Sequence, residues 1–271
     1  MIHSIRKKLQ RNRFIIKVYS IFPWNKIIPT FKQFLFDLKM KKNGFIFRHN
    51  NLKPAFYLPY YKKDYIQKKI ISEKNYYEFS YLKDIIFNPE NGPLISKISQ
   101  KCILDIGANI GNHTLFFLLE CNASKVICFE PIKDTFRILK KNIEINNLTS
   151  KTELNNFALG AKTDVASISY YSKENIGSTS LKSDSCGNIN ISSLDDLHIQ
   201  DEIAFIKIDV EGFELEVVKG MRNTLVKNHP SLMIEIRHTL FKDVNCILEE
   251  NGYKYKIIET NDLMANYLYT R

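Results

Sequence analysis

At 271 residues and 44% hydrophobic content, the chain suits one large domain, or one domain with an appendage, and is too apolar for global disorder. Its five cysteines, at 102, 121, 128, 186 and 246, are odd in number, scattered and free of any CxxC pair, which argues against a disulfide framework or zinc site and for a reducing compartment. The net charge of +10 is uneven, because residues 1–75 hold 18 Lys+Arg against 3 Asp+Glu while the remainder holds 21 against 26.

Residues 1–43 read as basic helix or loop, broken at Pro23 and Pro29. Arg6, Lys7, Lys8, Arg11 and Arg13 imitate a signal-peptide start. The apolar stretch 14–24 is interrupted by Lys17, however, and no small-residue cleavage site follows. No uncharged run reaches the ~18 residues of a spanning helix. Aromatic and aliphatic residues among lysines suit an anionic membrane interface, or a basic arm with no partner.

Aromatic runs at 45–47 and 55–60 flank Asn50-Asn51 and predict a hairpin. Residues 63–87 read as helix, and 88–93, with Pro89, Gly92 and Pro93, as a turn. Residues 1–74 form a basic N-terminal extension in this reading, and 75–271 the catalytic body.

From residue 102 short apolar runs alternate with helical periods. Strands are expected at 102–106, 126–129, 152–157, 203–208 and 232–236, with later ones at 253–258 and 266–269. Strand–helix alternation implies βαβ units and an α/β fold with a parallel sheet. An insertion at 165–181 alternates like a hairpin and then becomes a polar loop containing Ser178, Thr179 and Ser180, candidates to line an acceptor pocket.

The first of these strands runs into Asp105-Ile106-Gly107-Ala108-Asn109-Ile110-Gly111 and a helix. Glycines there let the backbone turn tightly and approach a ligand at the carboxyl end of the sheet. A dinucleotide fingerprint wants glycine where Asn109 and Asn112 stand, so a smaller ligand with a carboxylate fits better. Asp105 is placed to meet an ammonium group. The second strand ends in Glu130-Pro131, an acidic residue about 20 positions on that suits two ribose hydroxyls. The third strand ends in Asn155-Asn156-Phe157-Ala158-Leu159-Gly160, which would put the Asn156 amide, with Ala158, near the adenine edge.

These pieces, with Ser193-Leu194-Asp195-Asp196-Leu197, Lys207-Ile208-Asp209-Val210-Glu211-Gly212 and Glu235-Ile236, occur in an order that resembles the FkbM family of S-adenosylmethionine-dependent methyltransferases. The resemblance covers roughly residues 75–271. It implies a class I methyltransferase Rossmann-like fold, with a mostly parallel seven-stranded sheet and helices on both faces. It further implies S-adenosylmethionine as cofactor and O-methylation of a saccharide or other hydroxylated small molecule, such as a glycan precursor.

A sugar hydroxyl is a weak nucleophile, so a base or a metal must help remove its proton. Asp209, Glu211, Glu235 and His238 are the candidates, with Arg237 beside them at the same sheet edge. Three carboxylates suit either a shared proton or a divalent cation. His113 is expected to be non-catalytic. A cytoplasmic location, peripheral to the inner membrane face, is the expectation. The rival readings are a nicotinamide oxidoreductase, disfavoured by Asn109 and Asn112, a noncatalytic scaffold of the same fold, and a nucleic-acid methyltransferase. The last is disfavoured by the absence of an Asn/Asp-Pro-Pro-Tyr type of motif.

Overall fold

The computed structural model describes residues 24–91 and 94–271. The basic start, most of the apolar stretch 14–24, Pro23 and the end of the 88–93 turn lie outside those residues. The chain divides into two compact units, 1–46 and 47–271.

Among the described residues of the first unit a helix, α1 (Trp24–Lys42), contains Pro29 rather than ending there. Pro29 is the sixth residue, so it costs the N–H that would reach Asn25 O, and the helix continues past that lost bond.

The expected division at 74/75 differs from the observed break at 46/47, because residues 47–74 are built into the larger unit. The expected hairpin shrinks to two-residue strands, β1 (Ile46–Phe47) and β2 (Phe56–Tyr57). The segment around β2 is held by asparagine side chains: Ala55 N–H donates to Asn146 Oδ1 at 2.8 Å, and Tyr57 N–H donates to Asn142 Oδ1. The expected helix 63–87 is two helices, α2 (Tyr65–Glu73) and α3 (Phe79–Phe87), interrupted by left-handed Lys74 and Glu78. A short α4 (Leu94–Ile98) follows.

The body then alternates as expected: β3 (Cys102–Ile106), α5 (Asn112–Leu119), β4 (Lys125–Phe129), α6 (Lys133–Ile145) and β5 (Thr152–Asn155). A small sheet interrupts it, made of β6 (Ala158–Leu159), β7 (Asp164–Tyr170), β8 (Ser180–Ser183) and β9 (Ile189–Ser192). The insertion is thus a hairpin whose arms, β7 and β8, pair antiparallel around the polar loop. The main series resumes with β10 (Ile203–Ile208), α7 (Glu214–Lys219), α8 (Arg222–Asn228), β11 (Ser231–Arg237), α9 (Phe241–Glu250), β12 (Lys254–Thr260) and β13 (Met264–Thr270).

Seven strands form the main sheet in the order β12-β13-β11-β10-β3-β4-β5. Six share one direction; β13, between β11 and the edge strand β12, runs antiparallel to both. Every residue of β3 is buried, as expected of a strand covered on both faces. This is a class I methyltransferase-type α/β sheet. Its order reverses between β3 and β10, and that switch point opens a crevice at the strands' carboxyl ends.

Register decides what meets there. Ile106 pairs with Phe129 on one side and Ile208 on the other, and Ile208 pairs with Ile234. The next residue of each strand therefore stands level: Glu130, Gly107, Asp209 and Glu235 form one row across four strands. Asp105 and Lys207 are partners two rows lower, inside the sheet.

Candidate active site

Lys207 is the only charged residue of β10, a strand otherwise built of apolar residues. Its ammonium is 3% exposed and lies 3.5 Å from Asp105 Oδ1 and 3.2 Å from Asp209 Oδ2, while donating to Gly107 O at 2.8 Å. Thr114 Oγ1 donates to the other Asp105 oxygen at 2.6 Å. Asp105 is completely buried. The ammonium that it meets belongs to Lys207, so its expected place beside a ligand is corrected. Burial opposes a charged lysine, but Asp209 and Asp105 outweigh it and raise the Lys207 pKa.

Gly107 has φ +75°, and a Cβ there would stand 1.8 Å from Asp209 O. That approach seats the Gly loop against β10. Asn109 is also left-handed, and its N–H donates to Glu130 Oε2 at 2.9 Å. Ile132 N–H donates to the other Glu130 oxygen at 2.9 Å. Burial nevertheless pushes Glu130 up to about 7, against these two bonds.

A narrow cleft of about 60 Å³ runs over the loop, with Gly107, Asn109, Glu130, Pro131, Phe157, Ala158, Thr179 and Phe213 in its walls. Asn156 does not reach it. The Asn156 side chain is turned back to donate to Glu130 O at 2.8 Å, because that carbonyl has no strand partner beyond the end of β4. Ala108 is buried with its N–H on Phe129 O, and Gly111 packs on Leu139 at the start of α5. All three hold the loop or the strand end in this structure, and none lines the cleft.

Beyond the cleft opens a cavity of about 760 Å³. The two meet at Asn109, Gly177, Asp209 and Glu211, which line both. Asp209, Glu211 and Glu235 each bring a carboxylate oxygen within 4.8 Å of the others, the geometry of a shared proton or a divalent cation.

The charges in the cluster divide unequally. Burial would raise Asp209, but the Lys207 ammonium outweighs it and holds the carboxyl below its ordinary value. Glu235 is driven well above the ordinary carboxylate range, first by burial and then by the charges of Asp209 and Glu211. Glu235 therefore keeps a proton and is hydrogen-bonded to ionised Asp209. Glu211 is pushed up to about 7 by burial and by Asp209, with Arg237 opposing.

Glu211 is left-handed at φ 53°, and the residue after it, Gly212, leaves room for the Arg237 guanidinium, whose Cζ would stand 2.8 Å from an added Cβ. Arg237 Nη2 donates to Glu211 O at 2.7 Å and to Ser180 Oγ at 3.0 Å. Ser178 and Ser180 line the cavity. Thr179 faces the cleft instead, and its hydroxyl donates to Ile176 O.

His238 is corrected. It is exposed, it stands outside the cavity walls, and its Nε2 lies 2.7 Å from Asn261 O. The strand that supplies Glu235 alternates sides, and His238 falls past its end. His113, expected to be a bystander, lines the cavity with Nε2 3.4 Å from Glu78 Oε2. Glu78 and Tyr81 also line it and had no signal in the sequence, since their helix lies far away in chain order. Lys207 did have one: a lysine inside an apolar strand must be paired.

The Methyltransferase FkbM domain family model matches residues 105–255, from the buried ion-pair aspartate to the strand beyond α9. The chain belongs to the FkbM methyltransferase family. Among curated relatives of this family member, it is 29% identical over 163 residues to a hexuronic acid methyltransferase, AglP, of Haloferax volcanii, covering 58% of this chain and 65% of that one. It is 23% identical over 180 residues to Methyltransferase 1 of Beauveria bassiana, covering 56% and 71% of the two chains. The chain thus spans slightly less than two thirds of the archaeal relative. Among solved structures it is similar to methyltransferase FkbM from Methylobacillus flagellatus KT, at 24% identity and a TM-score of 0.49, over 64% of this chain and 44% of that one.

Proposed function

We propose that this chain is an S-adenosylmethionine-dependent O-methyltransferase that acts on a hydroxyl of a saccharide or glycan precursor. The observation that carries the reading is the meeting of two spaces at a pair of carboxylates, Asp209 and Glu211. The cleft has largely apolar walls with Glu130 among them, and it opens onto the acid-lined cavity where Asp209 and Glu211 line both spaces.

The cleft's chemistry suits the cofactor. Phe129, Ile132, Phe157 and Phe213 offer apolar surface to an adenine, and Glu130 stands at a strand end where two ribose hydroxyls are recognised. About 60 Å³ is well below the roughly 300 Å³ of a small-molecule pocket, so Glu130 must release its two backbone N–H groups and the roof at 176–181 must lift. When bound, S-adenosylmethionine supplies an electrophilic methyl on a sulfonium.

The protein's own groups provide the rest. Asp209, held ionised by Lys207, accepts a proton from an acceptor hydroxyl in the cavity. Glu235, already protonated, holds Asp209 in place by its hydrogen bond and cannot compete as base. Arg237 and Ser180 fix the Glu211 backbone that forms one wall. A divalent cation on the three carboxylates is the second reading, favoured by their 4.8 Å grouping. The ammonium 3.2 Å from Asp209 already neutralises that carboxylate and favours the proton-sharing form. A saccharide acceptor is supported by the hexuronic acid methyltransferase among the relatives.

The test is incubation of the protein with S-adenosylmethionine and a panel of mono- and oligosaccharides, read by mass spectrometry. A gain of one CH₂ on an acceptor is expected. Tight binding of a nicotinamide dinucleotide, cofactor binding with no turnover on any saccharide, or methylation of nucleic acid instead would overturn the reading. Chelation separates its two forms: activity that is lost and then restored by magnesium means a cation, and unaffected activity means a base.

A further inference from the structure

On α1, Phe31, Phe34, Leu35 and Leu38 recur at i, i+3, i+4 and i+7, which puts them on one face of the helix. Water reaches all four: they are 59%, 56%, 49% and 49% exposed. At 3.6 residues per turn, Lys32 and Lys39 border one side of this stripe, Lys41 borders the other, and Lys42 stands at its end. The face turned away carries Gln33 and Asp37, which are hydrogen-bonded to each other at 3.0 Å, and buried Met40. The opposite side also holds half-buried Phe36, so the helix has apolar residues on both sides, and the larger stripe is the one open to water and framed by lysines.

We propose that α1 is an in-plane anchor that docks this protein on an anionic phospholipid surface. The stripe enters the acyl boundary, and the flanking lysines reach the head groups, their alkyl stems lying along the apolar region. Charge complementarity selects the lipid class. The helix has no acidic residue in its first turn and three lysines in its last, and the sequence before it adds Arg6, Lys7, Lys8, Arg11, Arg13 and Lys17. A nucleic acid would meet the lysines but leave four large apolar side chains in water. No helix among the described residues is long and apolar enough to cross a membrane, which agrees with a helix lying in the interface.

The experiment uses the full chain and vesicle flotation. Vesicles of phosphatidylglycerol mixed with phosphatidylcholine should bind it at least about tenfold more strongly than phosphatidylcholine alone, and binding should weaken as salt screens the lysines. The single tryptophan, Trp24, opens the same helix, so its emission should shift to the blue on binding. Replacing the stripe (Phe31→Ser with Leu35→Ser) should weaken binding about tenfold or more, and so should replacing the frame (Lys32→Gln with Lys39→Gln). Cofactor affinity should be unchanged in both variants. Three results would overturn the proposal: no preference for anionic vesicles, binding untouched by either pair of substitutions, or a stripe that mediates self-association or RNA binding with no vesicle binding.

Discussion

Lys207 Nζ and Asp209 Oδ2 lie 3.2 Å apart at the carboxyl end of β10, joining a buried ion pair to a partly exposed carboxylate on the cavity wall. Residues i and i+2 of a strand share a face, so a single lysine serves both Asp105 and Asp209. Lys207→Met leaves Asp105 buried without a cation. A loss of about 3–5 kcal/mol is expected in urea unfolding, the usual cost of breaking a buried pair from one side. Asp105→Asn with Lys207→Met should recover part of it; equal stability of the single variant and the parent would show that the pair is not a structural element.

Stability should also fall with rising pH because of Glu235. Its folded pKa is raised above the ordinary value of 4.5, so the native state holds a proton that the unfolded state releases. The contribution is complete below the ordinary value and is lost as pH climbs toward the folded one. The slope is at most about 1.4 kcal/mol per pH unit. Unfolding free energies between pH 5 and 8 measure it, and Glu235→Gln, which cannot titrate, should flatten that dependence.

Two groups pushed up to about 7 should be separable in the pH profile of methyl transfer. Glu130 faces the cleft, so its ionisation should appear in cofactor affinity. Glu211 faces the cavity, so its ionisation should appear in turnover at saturating cofactor. Both quantities should improve as pH rises through neutrality. Glu211→Gln should remove the rise in turnover and leave the affinity profile intact.

Asp209→Asn keeps the shape and removes the base. It should lower turnover about a hundredfold, the low end of general-base contributions, with a much smaller change in cofactor affinity. His238→Ala should leave turnover within about twofold, because surface groups outside the site rarely matter. Steady-state kinetics on a true acceptor decides both, and the opposite ranking would move the base from β10 to the end of β11.

Gly107→Ala should be among the most damaging small substitutions. The new Cβ would meet the Asp209 carbonyl at 1.8 Å, and φ of +75° is strained for alanine. Because β3 and β10 are adjacent strands, the clash cannot be relieved by a side-chain rotation. A lowered melting temperature together with weakened cofactor binding is expected.

How much of this was legible before the fold was known depends on distance along the chain. The Gly loop, Glu130 and the acid pair after β10 follow strand ends directly, and parallel α/β sheets put strand ends together, so local pattern already implied Glu130, Asp209 and Glu235 at one edge. Side-chain direction at those ends was not legible. Asn156 turned back to a carbonyl, His238 fell past the last paired residue, and Asp105 pointed into the sheet.

What the amino-acid order determined by itself was the alternation of elements, and with it a parallel sheet whose carboxyl edge carries the chemistry. Periodicity is a local property and survives without a partner. Tertiary structure alone decided the register that sets Asp105 beside Lys207 and Asp209 level with Glu235. It also brought Glu78, Tyr81 and His113 to the cavity from segments outside that row, and it left four apolar residues of α1 exposed. Those outcomes depend on which surfaces pack against each other, and burial and charge pairing between segments distant in sequence carry no local signature.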